Sequence, residues 1–550
     1  MNAVVANAGQ WAQVIVRFGS SADIGTKVME KNLAGACSLY EEFCIVAEKF
    51  RESVALVYGD ESLTYLQLRA RVDVTADILR MHGIDRGQAF ALYGRNCPEF
   101  LYCYLAAAKI GAVFVSINAN VTESEVGYIL KHSDARLMFH DEFVAEVANT
   151  SALRHLSRPL EELKRSVPAE SSFLYEPVDP SDDLLIVYTS GSTGAPKAVV
   201  LTHAAQIGAA RSMADFWSLN PGDATVVAAP MGFLLGLSTS ALVPMLSGVK
   251  VVLNKRFHPG EVLEALAKYN ATLFHGVPTM YSMMLDYSVQ QNRTFDLSSM
   301  RVMICSGAPM PDEMVQQFTN RFGKMPQNYF GMTECYPLVG TYASDEEFPP
   351  KGAVGRLAPG ARVKFLDTEG RECSPGMVGE MYARASSMLK RYHKAADLTK
   401  AALVDGWFRT GDNGYVSLDG FIYITGRLKD LIIRGGANIA PLEVENALLK
   451  NANVQSVAVV GVPDRIYGEV PVAFVVKQRG AVVSSEDLIE FSKKQLADFK
   501  VPTMILFRDE LPLGKTGKID KNQLKIDWQM EISSVEGVSS VEHGQRSRGA

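Results

Sequence analysis

Between Leu184 and His203 the chain reads LLIVYTSGSTGAPKAVVLTH. The apolar run Leu184 to Tyr188 reads as a buried strand, and the Ser/Thr/Gly-rich segment that interrupts it suits a loop wrapped around phosphate. Gly191 and Gly194 let backbone N–H groups approach an anion closely. Ser190, Ser192 and Thr193 add hydroxyls, Thr193 can also reach a phosphate-bound Mg²⁺, and Lys197 supplies a mobile positive charge. The glycines stand too close together for a Walker A loop, and Pro196 occupies the place of its last glycine. A Ser/Gly surface linker is the competing reading, but linkers are not usually tied to a buried strand and followed by a second apolar run, here Ala198 to Leu201.

Further segments carry residues with chemical use. Cys305-Ser306-Gly307-Ala308-Pro309 and Phe330-Gly331-Met332-Thr333-Glu334 both fall just beyond predicted strands, where ligands of open α/β sheets collect. Asp412 closes Gly406-Trp407-Phe408-Arg409-Thr410-Gly411-Asp412, and Gly426-Arg427-Leu428-Lys429-Asp430 follows it. Two Gly-rich stretches come later, Arg434 to Pro441 and Leu511 to Ile519. Each has an ordinary alternative. Glu334 suits a helix start, Asp412 a turn, Gly435-Gly436 a bulge, and Lys515 and Lys518 a solvated loop.

In their order these segments resemble the signatures of the adenylate-forming superfamily: acyl-CoA synthetases, adenylation domains and luciferases. The resemblance covers roughly residues 40 to 525 and implies a role for each. Ser190 to Gly194 and Lys197 would hold the phosphates of ATP, with Gly307, Ala308, Pro309, Gly331 and Thr333 also at the nucleotide. Phe330 stands where Tyr is usual; stacking on adenine needs only a π-face, but any contact through a phenol hydroxyl is lost. Glu334, with Thr193, would hold Mg²⁺. Asp412 would accept hydrogen bonds from the ribose, Arg427 would make a second ribose or phosphate contact, and Lys429 would be a hinge. Gly435 and Gly436 would line a pantetheine tunnel for CoA, since glycines let a thin thiol arm pass close to backbone. Lys518 matches the catalytic lysine, and Lys515 does not.

Besides Phe330, three positions depart from the family pattern. Ala198 and Arg391 stand where glycine is common, and Phe233, within Pro230-Met231-Gly232-Phe233-Leu234-Leu235-Gly236, replaces a gating histidine. The Asp with which amino-acid-activating relatives hold an α-ammonium is missing, and an unpaired ammonium in an apolar wall is costly, so the acid is not an α-amino acid. Phe233, Leu234, Leu237, Val277, Tyr281, Cys335 and Tyr336 are the candidates for an apolar acid pocket.

These residues are positioned by alternating strand and helix patterns from Val54 to Phe139 and again from Ala224 to Phe330, which specify parallel sheets covered by helices. From Ala361 short strands with frequent turns suit a small barrel, and beyond Arg427 the pattern is that of a compact α+β domain. The expected fold class is therefore α/β. Residues 1–426 form a large domain of two doubly wound sheets plus a small β-barrel, with 1–35 as a mobile arm; 427–430 form a hinge, 431–528 a small mobile lid and 529–550 a disordered tail.

A net charge of -6 gives no broad field for nucleic acid, so anionic ATP and CoA must rely on local positive groups. Seven scattered cysteines without a paired CxxC read as free thiols of a reducing cytoplasm. The uncharged run Ala224 to Val249 is broken by Pro230, Pro244 and several glycines, which favours a buried core over an integral membrane span. The expected activity is an ATP- and Mg²⁺-dependent acid–thiol ligase that turns a small apolar carboxylic acid into acyl-AMP and passes it to CoA. The alternatives are an adenylating enzyme that loads an acyl-carrier protein or an amine, and a non-catalytic nucleotide binder.

Overall fold

The computed structural model describes residues 38–164, 177–189, 196–345, 348–427, 430–435, 437–514 and 518–531. The arm expected at 1–35, Ser190 to Gly194, Leu428 and Lys429, Gly436, Lys515 to Gly517 and the tail from 532 lie outside the described residues.

Among the described residues, two seven-stranded sheets dominate the large domain. The first runs Arg391–Tyr392, Lys197–Thr202, Asp183–Thr189, Val113–Asn118, Ala89–Gly94, Met138–His140, Ser157–Pro159. Its pairings are parallel from Asp183–Thr189 onward and antiparallel at the two strands before it. Ala89–Gly94 and Val113–Asn118 are buried at every residue, which explains their continuous apolar runs in place of alternation. The helix Glu99–Ile110 between them is buried along its whole length and ends at Gly111, whose φ of 69° suits a left-handed cap.

The second sheet runs Gln327–Asn328, Val302–Cys305, Leu273–Gly276, Ala224–Val227, Lys250–Leu253, Val54–Tyr58, Glu61–Thr64. The strand Val54–Tyr58, first of the leading alternating block, thus pairs in parallel with Lys250–Leu253 and antiparallel with the adjacent Glu61–Thr64, and with none of the parallel strands of its own block. Periodicity marks a strand but not its partner, and this partner lies almost two hundred residues away.

The uncharged stretch resolves into the strand Ala224–Val227, a π-helix Leu235–Leu242, a short helix Val243–Met245 and the strand Lys250–Leu253. Among the described residues no helix is long and apolar enough to cross a membrane. Asn96, just past the first sheet, fastens this stretch: its Nδ2 donates to the carbonyls of Ala229 (3.0 Å) and Asn254 (3.1 Å), and its Oδ1 accepts from Met231 N (2.7 Å). A Cβ on Gly232 would lie 2.3 Å from Asn118 N, so the loop bearing Phe233 seats on the end of Val113–Asn118 only because glycine stands there.

The barrel region consists of a four-stranded and a five-stranded antiparallel sheet, joined by a bridge between Gly355 and Ile422. The C-terminal domain has a five-stranded sheet built on the long hairpin Val454–Asp464 and Gly468–Lys477, with helices Pro441–Leu448 and Ser485–Lys493 packed on it. Its last helix, over 521–531, runs past Trp528, and Glu531 pairs with Arg508, so this domain extends beyond the boundary expected at 528.

Candidate active site

The phosphate-loop residues Ser190, Gly191, Ser192, Thr193 and Gly194 lie outside the described residues, but both strands that carry the loop are in place, with Thr189 opposite Lys197. Lys197 Nζ stands 5.5 Å from the ring centroid of Tyr392. The hydroxyl of the same tyrosine donates to Glu334 Oε1 at 2.9 Å. Burial first, then the neighbouring Glu334 carboxylate, pushes this phenol well above its ordinary range, so it stays protonated.

Tyr392 reaches this position because Arg391–Tyr392 pairs as an edge strand with Val199 and Val200. Arg391 also grips Asp183 through both guanidinium ends, one at 2.9 Å, and Lys390 Nζ joins at 2.9 Å. Burial works against ionisation of Asp183, yet the bonds from Arg391 and Lys390 prevail and its pKa is lowered. The departure from glycine at 391 thus has a structural role: it locks the edge strand to Asp183–Thr189, which leads into the phosphate loop.

Glu334 is half-buried, and among the described residues its second oxygen has no partner. A hard carboxylate oxygen that shares Tyr392 with Lys197 fits Mg²⁺. Phe330 and Gly331 lie on a strand paired with Cys335–Gly340, and Phe330 and Met332 pack partly against the core; Thr333 is half-buried beside them.

Ser306 follows the strand Val302–Cys305. Its hydroxyl pairs with His275 Nε2 at 2.8 Å and its N–H donates to Gly276 O at 3.0 Å. Gly307 then takes φ +86°, Ala308 and Pro309 are exposed, and Asn328 Oδ1 accepts from Met310 N at 2.9 Å. Lys518, from the C-terminal domain, comes to this turn: a Cβ on Gly307 would lie 2.9 Å from Lys518 Cε and 3.5 Å from Val277 Cγ1. Gly307, Val277 and Lys518 therefore converge, although they come from distant parts of the chain.

Asp412 is buried, sits opposite Arg427 in an antiparallel pair, and accepts from Arg427 Nε at 3.0 Å. Arg427 contacts the Asp412 carboxylate directly, a role that motif spacing did not indicate. Gly435 donates its N–H to Tyr467 O at 2.7 Å, and Arg434 lies over the Tyr467 ring at 5.0 Å.

The acid-pocket candidates do not form one wall. Leu234, Leu237, Cys335 and Tyr336 share the main core cluster, Val277 lies in a small separate one, and Phe233 is half-buried. Tyr281 belongs to the core on the other face of the second sheet, where its hydroxyl donates to Ile304 O at 2.7 Å and its ring meets Phe274 and Phe318. A tyrosine at helical spacing carries no mark of which face it serves, and Tyr281 packs apart from the other pocket candidates. Tyr336 adds a polar contact: its hydroxyl donates to Gln206 Oε1 at 3.0 Å, the atom that Ser238 also reaches. His275 and Tyr392 were not foreseen as site residues; each acts on a partner 31 and 58 residues away respectively, a relation without local signal.

The AMP-binding enzyme profile matches residues 43–393 and that of the AMP-binding enzyme C-terminal domain matches 443–518, which spans every group described above except Asp412, Arg427 and the Gly435 segment. The chain belongs to the AMP-binding enzyme family. It is 35% identical to a feruloyl-CoA synthase of Amycolatopsis over 474 residues, covering 86% of this chain and 95% of that one. It is 32% identical to the 2-succinylbenzoate–CoA ligase of Bacillus licheniformis over 479 residues, covering 87% and 98%. Among solved structures, ATP-bound MatB from Rhodopseudomonas palustris superposes with a TM-score of 0.82 at 27% identity, over 89% of this chain and 99% of that one. Its homologues are thus CoA ligases and its architecture that of adenylate-forming enzymes.

Proposed function

We propose that this AMP-binding enzyme is an ATP- and Mg²⁺-dependent ligase that joins an apolar carboxylic acid to the thiol of CoA by way of an acyl-adenylate. The observation that carries the reading is Lys518 lying against the Gly307 turn, where a cation from the C-terminal domain meets the carboxyl edge of the second sheet. CoA ligases among the relatives support the acceptor.

In the first step an oxygen of the substrate carboxylate attacks the α-phosphorus of ATP; a C–O–P linkage forms and the bond to pyrophosphate breaks. Lys197 and the phosphate loop hold the leaving phosphates, and Lys518 faces the negative charge that develops at the reacting phosphoryl group. Mg²⁺, held by Glu334 and Thr193, would neutralise phosphate charge when bound. Asp412, oriented by Arg427, takes the ribose hydroxyls, and Phe330 offers its ring to adenine. In the second step the sulfur of CoA attacks the acyl carbon, AMP leaves, and the thiol proton passes to solvent. Lys518 has no leaving pyrophosphate to stabilise there, so residues 427–430 act as a hinge and carry the Gly435-Gly436 segment towards the acyl-adenylate. Residues 1–426 and 431–531 are the two bodies that this hinge joins.

The acid lacks an α-amino group, because Gly232-Phe233-Leu234 presents no carboxylate to hold one. ATP–pyrophosphate exchange over a panel of aryl, fatty and amino acids tests this. Exchange is expected with apolar acids and negligible with amino acids; robust exchange with an amino acid overturns the assignment. Acyl-AMP that is consumed by an amine or a carrier protein and not by CoA would replace CoA as acceptor.

A further inference from the structure

We propose that Tyr392 is a positioning residue that holds Glu334 and Lys197 apart and in register for the metal–nucleotide complex, an inference that rests on the function proposed above. The two groups carry opposite charge and both reach the same side chain: Glu334 Oε1 accepts from the hydroxyl at 2.9 Å, and Lys197 Nζ lies 5.5 Å from the ring centroid. Among the described residues they form no ion pair with each other. A direct pair would consume both charges, leaving the carboxylate poorly placed for a cation and the ammonium poorly placed for phosphate. Tyr392 prevents that collapse by using two different parts of one ring system. Its edge, through the hydroxyl, fixes one carboxylate oxygen and leaves the other without a partner among the described residues. Its π-face carries the ammonium without neutralising it.

The tyrosine is itself firmly held. It is 3% exposed, its N–H donates to Thr399 Oγ1 at 3.0 Å, and its strand is paired with the strand that begins at Lys197. The residues on either side bond back to that same sheet, Lys390 N to Val200 O and His393 N to Ala198 O, each at 2.9 Å. The support therefore moves with Lys197, and Glu334 is registered against it across 58 residues of sequence.

Tyr392→Phe removes only the hydroxyl and keeps the ring under Lys197. The test is equilibrium binding of ATP to the whole protein, by calorimetry, over a Mg²⁺ titration, with AMP binding in EDTA as the metal-free control. Loss of a group that orients a metal-ligating carboxylate typically costs about 10–100-fold in metal affinity, and the Mg²⁺ needed for half-maximal ATP binding is expected to rise by that factor in Tyr392→Phe. AMP affinity should stay within about twofold of the unaltered protein, because that ligand needs no metal at Glu334. Glu334→Gln should reproduce the metal defect, and Tyr392→Phe added to it should change little further, since both remove the same function. An unchanged Mg²⁺ requirement in Tyr392→Phe, or defects that multiply in the double variant, overturns the proposal. So does a parallel fall in AMP binding, which would mark a purely structural tyrosine. If the unaltered protein binds no ATP at any Mg²⁺ concentration, the proposed function fails, and this inference with it.

Discussion

Gly307→Ala is a small change with a large expected effect on one half-reaction. The residue takes φ +86°, where an L side chain is strained, and the added methyl would stand 2.9 Å from Lys518 Cε. The backbone term costs about 1–3 kcal/mol, of the order of a single unfavourable residue conformation, and the protein should still fold. The contact with Lys518 is relieved differently. Its partner is the far end of a flexible side chain, so Lys518 moves and the turn does not. Displacement of one donor from the developing charge costs up to about 10²–10³-fold in rate, and Gly307→Ala should therefore slow acyl-AMP formation by at least about tenfold. Conversion of chemically supplied acyl-AMP to acyl-CoA should be spared, because pyrophosphate does not leave in that step. Single-turnover measurement of each half-reaction separates the two. Lys518→Ala provides the decisive background: with the lysine gone, the methyl has nothing to displace, and Gly307→Ala should add little to the loss. Unimpaired adenylation in Gly307→Ala, or a full multiplicative loss in the double variant, would refute the juxtaposition of Gly307 and Lys518 in the reacting state.

Lys518→Ala alone should slow acyl-AMP formation by about 10²–10³-fold with thioester formation from supplied acyl-AMP near normal; equal losses in both would point to misfolding. Lys429→Pro, in the segment proposed as hinge, should leave adenylation near normal while thioester formation collapses, as two rapid-quench assays would show. Burial lowers the pKa of His203 to about 4 and that of His275 to about 3, whereas in the unfolded chain both titrate near the ordinary value of about 6.5. The stability that comes from keeping them neutral is fully present above about pH 6.5 and is lost as pH falls towards those lowered values, by up to about 1.4 kcal/mol per pH unit for each histidine. Urea unfolding at pH 7, 6 and 5 should show the decline, His275→Gln should flatten it, and a constant midpoint over that range would contradict the buried neutral state.

Much of the architecture was legible because buried parallel strands and the helices between them have distinct periods, and the alternation expected from Val54 to Phe139 contains strands and helices such as Val113–Asn118 and Glu123–His132. The pairing of Val54–Tyr58 with Lys250–Leu253 was not, since an apolar strand fits either sheet until packing selects one. The same division runs through the site. Lys197, Glu334 and Lys518 were singled out from their motifs, and the structure adds what spacing cannot hold: the phenol between Lys197 and Glu334, the histidine at Ser306, and the guanidinium of Arg391 on Asp183. The pocket suffered most. Tyr281 and Tyr336 looked like wall residues, but hydroxyl partners place one in the opposite core and the other in a polar knot with Gln206 and Ser238.

The central claim, ligation of an acid to CoA through an acyl-adenylate, is tested most directly by product stoichiometry in one reaction vessel containing ATP, Mg²⁺, CoA and an acid that supports pyrophosphate exchange. Chromatographic quantification should find AMP, pyrophosphate and acyl-CoA in equal amounts, with no ADP, and omission of CoA should leave acyl-AMP bound at one equivalent per protein. Formation of ADP, or AMP and pyrophosphate accumulating without any thioester, would contradict it.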